Sequence, residues 1–91
     1  MLDNLTHRID LIDKKIVELF EKRMDIVKKI AVYKKKHGLK IEKKQYDSDI
    51  IDKVTSRACD TEIIGYTEGL MIYLDTVSKK YQCRVVRQNK E

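Results

Sequence analysis

An all-helical fold follows from three features of the sequence. Apolar residues recur at spacings of three and four over long stretches, proline is absent, and 38% of the residues are charged. One face of a helix repeats every 3.6 residues whereas a strand alternates, so this recurrence belongs to helices. Three helices (long, short and medium) are expected at about residues 4–37, 45–58 and 62–84, in one domain spanning 1–91 with a frayed polar tail over 85–91.

The long helix organises the rest. Leu5, Ile9, Ile12, Ile16, Leu19, Ile26, Ile30 and Tyr33 form one apolar row, and Val17, Phe20, Met24, Val27 and Ala31 form a second beside it. At ~1.5 Å per residue the helix is about 50 Å long. A compact chain of this length has a radius of gyration near ~12 Å, so the rod is too long for its own chain to wrap, and a partner is expected. Asp3 or Asn4 is placed to cap its start, and Lys34, Lys35, Lys36 and His37 suit the negative end of its dipole. Gly38 is expected to supply the left-handed residue that closes it.

A short connector follows, with Leu39 and Ile41 expected to pack back onto the core. In the second helix Ile50, Ile51 and Val54 face inward, and Asp47 and Asp49 favour its N-terminal end. A turn at 59–61 leads to the third helix, with Asp60 or Thr61 as its expected cap and Ile64, Leu70, Leu74, Val77 and Tyr81 turned inward. Gly65 and Gly69 each weaken that helix by roughly 1 kcal/mol, which points to close backbone approach.

The net charge of +5 suits an anionic partner, small molecule or nucleic acid, although lysine runs also form ordinary solvated faces. Cys59 and Cys83 have no metal-ligand spacing, and no metal or cofactor site is expected. Asp3, His7, Arg8 and Asp10 interrupt any apolar leader, and no stretch suits a membrane span. A reducing cytoplasm with both thiols free is the expected location.

Arg23 interrupts the apolar rows of the long helix. Val27, Ile30 and Lys34 follow it on one side, so Arg23 and Lys34 place two cations about 16 Å apart along a single face. A buried guanidinium needs either a carboxylate from another helix or an anionic ligand, and the sequence leaves both open. Ser78 and Gln82 continue the Leu70–Leu74 row of the third helix, either as helix-end solvation or as polar groups aimed at the same interior. Cations and an uncharged donor converging there would suit a small anion with a polar oxygen. No nucleophile triad or phosphate-cradling glycine loop is present.

Read together, residues 5–13 (LTHRIDLID), 16–23, 30–34 (IAVYK), 38–41 (GLKI) and 78–82 (SKKYQ) resemble, in order and spacing, the all-helical (AroQ-type) chorismate mutase family. The resemblance covers about residues 4 to 83. It implies an intertwined homodimer with paired long helices and no cofactor. It also implies the rearrangement of chorismate, a small dianion, to prephenate, at the entry to phenylalanine and tyrosine. That reaction is pericyclic, so catalysis consists of holding the reactive chair and stabilising charge on the breaking ether oxygen. By the resemblance Arg23 binds a carboxylate, Lys34 a carboxylate and the ether oxygen, Gln82 the ether oxygen, Ser78 the other carboxylate end, and Asp47 the substrate hydroxyl.

The chain departs from the family pattern at four places. Thr6 stands for an arginine that reaches into the partner's site, Lys43 for an aspartate, Tyr46 for an arginine and Asp47 for a glutamate. Lys43 restores part of the lost positive charge without the arginine fork. The expectation is therefore a chorismate mutase with a weakened or remodelled site. A non-catalytic dimer of the same fold, regulating a partner enzyme or binding another small carboxylate, is the alternative. A basic nucleic-acid module rests only on the lysine runs and lacks stacking aromatics.

Overall fold

The computed structural model describes residues 1–41 and 47–88, excluding the side chain of Asp47. Within these residues the chain forms three helices and no strand: α1 (Leu2–Lys36), α2 (Asp47–Arg57) and α3 (Ile64–Gln88). α3 packs against both α1 and α2, which have no backbone proximity to one another. The shape is an elongated slab of 55 × 28 × 15 Å with a radius of gyration of 16.4 Å. That radius exceeds the ~12 Å of a compact chain of this length.

α1 starts earlier than expected. Met1 occupies the N-cap position with no side-chain cap bond, and Asp3 lies within the first turn rather than before it. Its C-terminus closes as expected: Gly38 adopts φ +66°, the Gly38 amide donates to the Lys35 carbonyl, and the Leu39 amide donates to that of Lys34. These paired bonds satisfy two carbonyls that a helix end otherwise leaves open. Ile41 is half-buried, but Leu39 is exposed, so only one of the two connector residues packs inward.

The row that packs on α3 is the second apolar row of α1, not the first. Val27 and Ala31 are buried and Phe20, Arg23, Met24 and Lys34 are half-buried. Leu5, Ile9, Ile12, Ile16, Leu19, Ile26, Ile30 and Tyr33 are all exposed. Neighbouring positions on a helix differ by about 100°, so seating Val27 and Ala31 against α3 turns Ile26 and Ile30 away. Ile30 consequently leaves the face it was expected to share with Arg23 and Lys34.

α3 shows the same displacement. Its buried residues are Ser78, Gln82 and Val85, while Ile64, Leu74, Val77 and Tyr81 are half-buried and Leu70 is exposed. Val85 anchors the segment expected to fray, and the helix runs on to Gln88. It begins at Ile64, after Asp60 has accepted the Glu62 amide in a side-chain turn of 3.0 Å. Asp60 thus orders the turn instead of capping the helix, and the Ile63 carbonyl accepts the first amides, from Tyr66 and Thr67. A Cβ added at Gly65 or Gly69 would meet nothing within 4 Å, so neither glycine serves close packing within this chain. In α2, Ile50 and Val54 are buried as expected and Ile51 is exposed at the margin.

The closing turn of α1 yields a direct test. Gly38→Ala should lower stability by about 1–2 kcal/mol, because a Cβ is disfavoured in the left-handed region. Urea unfolding followed by circular dichroism measures it, and an unchanged midpoint would contradict the turn geometry.

Candidate functional site

The seam between α1 and α3 is polar at its centre. The Arg23 guanidinium donates through Nη1 to Ser78 Oγ and, at 3.5 Å, to the Leu74 carbonyl. Ser78 Oγ donates in turn to the Leu74 carbonyl at 2.7 Å. The hydroxyl therefore has its proton spent on its own helix and a lone pair turned to Arg23. One turn along each helix, Gln82 Nε2 donates to the Val27 carbonyl at 3.4 Å. Ala31 and Ser78 are both buried.

The Arg23 side chain is half-buried. Among the described residues no carboxylate pairs with it, and its acceptors are neutral oxygens. Neutral acceptors satisfy hydrogen-bonding geometry without offsetting the charge of the guanidinium. Nη1 serves both bonds, so Nε and Nη2 meet no acceptor among the described residues. They form the edge of a guanidinium that a carboxylate grips with two parallel bonds.

The structure brings Arg23, Ser78 and Gln82 together. Lys34 lies further along α1, half-buried and with no hydrogen-bond or ion-pair partner for its ammonium among the described residues. Asp47 opens α2, but its side chain lies outside the described residues, as do Lys43 and Tyr46. Thr6 Oγ1 donates to the Leu2 carbonyl at 2.9 Å on its own exposed turn.

Several polar contacts were not anticipated from the sequence. Lys35 Nζ donates to the Val86 carbonyl at 2.9 Å, joining α1 to the last turn of α3, where carbonyls lack helical partners. A cleft of about 380 Å³ opens beside Arg23, lined also by Ile50, Lys53, Val54, Arg57, Met71 and Asp75. Asp75 pairs with Lys79 at 3.4 Å, one helical turn along α3. Lys53 and Arg57 flank the buried Ile50–Val54 row at three- and four-residue spacings. In the sequence that spacing does not distinguish them from an ordinary solvated pair of cations.

The sequence pattern of chorismate mutase type II matches residues 5–88, which is most of the chain. This chain belongs to the chorismate mutase type II family. The span that matches chorismate mutase type II takes in Thr6, Arg23, Lys34, Asp47, Ser78 and Gln82, and all three helices contribute to it. No curated protein and no solved structure matches the chain.

Ser78→Ala should destabilise the fold by about 1–3 kcal/mol, since it removes the acceptor of a part-buried cation. Chemical denaturation of the two proteins in parallel checks this. A loss well under 0.5 kcal/mol, the range of an ordinary surface substitution, would show that the Arg23–Ser78 link is not formed.

Proposed function

We propose that this chain is a chorismate mutase acting as a homodimer, converting chorismate to prephenate at the seam of α1 and α3. The observation that carries this reading is Arg23 held between the helices by neutral oxygens, in a chain of the chorismate mutase type II family. An oriented guanidinium with uncompensated charge suits a substrate carboxylate. Lys34, half-buried on the same helix, is the second cation, for the other contacts of a dianion and for the ether oxygen. Gln82 keeps one amide hydrogen beyond that given to Val27, available for the ether oxygen as its bond to carbon lengthens. Ser78 holds Arg23 and borders the carboxylate end, Asp47 receives the substrate hydroxyl, and Lys43 adds positive charge.

No proton transfer or covalent intermediate is required by this chemistry. The contribution of the residues is to select a compact conformer and to meet developing charge on oxygen. The second copy supplies cover for the apolar row of α1 that α3 leaves exposed. Both cysteines are free thiols, and a reducing cytoplasm is the proposed location.

A non-catalytic dimer that binds a small carboxylate is the second reading. It is favoured by Thr6, whose hydroxyl is spent on its own helix where the resemblance calls for a reaching arginine. Loss of chorismate absorbance separates the two. The purified protein should accelerate it, and Arg23→Ala, Lys34→Ala and Gln82→Ala should each reduce kcat/KM by about 10²-fold or more, with the helical spectrum retained. A wild-type rate equal to the uncatalysed one would leave the non-catalytic reading standing.

A further inference from the structure

We propose that the cleft between α2 and α3 is a carboxylate subsite in which Lys53 and Arg57, together with Arg23, hold an anion carried on an apolar ring. Among the described residues three cations line it against one carboxylate, and that carboxylate, Asp75, is itself paired with Lys79. Its floor is apolar, made by Ile50, Val54 and Met71. The volume of about 380 Å³ lies in the ~300–1,000 Å³ range of small-molecule sites.

The chemistry of the lining defines the ligand. A phosphate or other compact, fully hydrated anion gains nothing from the Ile50, Val54 and Met71 surface, whereas a ring bearing a carboxylate uses both parts of the cleft. Arg57 lies four residues after Lys53 on α2, so the two cations stand one turn apart on one side of the helix. Arg23 enters from α1 as the residue common to this cleft and to the α1–α3 seam. It retains Nε and Nη2 for an anion while Nη1 fixes its position.

The inference deepens the chorismate reading, and rests on it only for the identity of the ring-borne carboxylate. It assigns to Lys53 and Arg57 the charge that Thr6 and Tyr46 do not supply.

The test uses benzoate as the probe, with methyl benzoate as its uncharged counterpart, and follows the methyl resonances of Ile50, Val54 and Met71 in the full chain. Benzoate should shift all three saturably and methyl benzoate should not. Arg57→Ala and Lys53→Ala should each weaken binding roughly tenfold, as expected for one charge-assisted contact. Lys29→Ala, which removes an equal charge from an exposed i,i+4 pair with Asp25, should leave binding unchanged. Both tested side chains are on an exposed face of α2, so the variants should keep the wild-type melting profile. Absent or unsaturable shifts, equal shifts with methyl benzoate, or equal weakening in all three variants would overturn the subsite. Chorismate turnover is scored separately. Its absence in the wild type sinks the enzymatic reading, while the benzoate titration still decides the subsite.

Discussion

The length of α1 constrains everything else. A helix of 35 residues extends about 52 Å, whereas the 25 residues of α3 extend about 37 Å. α3 therefore covers only part of α1, and every residue from Met1 to Leu19 is exposed. Those residues include Leu5, Ile9, Ile12 and Ile16, a row with the spacing of a buried face. A helix within a protein owes most of its stability to the burial of such a face, so leaving it in water is unfavourable. The proposed second copy would cover this row, because a like helix presents a matching one.

The remaining part of α1 is divided between packing and chemistry. Ala31 and Val27 allow α3 to approach, and that approach carries Ser78 to Arg23 and Gln82 to the Val27 carbonyl. Burial of apolar side chains and orientation of polar ones are thus the same event at this seam. Lys35 reinforces it at the far end by binding the Val86 carbonyl. The backbones of α1 and α2 stay apart, and the cleft lined by Arg23, Lys53 and Arg57 lies between them and α3.

The three helices were legible in the sequence because their apolar periods are long and uninterrupted, and Gly38 marks the end of α1 without ambiguity. The choice of face was less so. Two apolar rows lie about 100° apart on α1, and periodicity alone does not say which meets α3 and which is left over. On α3 the buried positions are Ser78 and Gln82, polar residues that a hydrophobic pattern places at the helix margin. Arg23 was conspicuous as a charge among apolar neighbours, but its acceptors were not, since a backbone carbonyl such as that of Leu74 carries no sequence signature. Lys53 and Arg57 were hidden for the opposite reason: cations are common on exposed helix faces, and only the three-dimensional cleft sets these two apart.

The uncovered row of α1 is the feature that most requires a partner. Sedimentation velocity of the purified chain at micromolar concentration addresses it directly. A folded dimer with no appreciable monomer is the result predicted, with Ile9→Asp or Ile16→Asp shifting the protein toward a monomer of reduced helicity. A folded, fully helical monomer at that concentration would contradict it, because the row from Leu5 to Leu19 would then be stable in water without a partner.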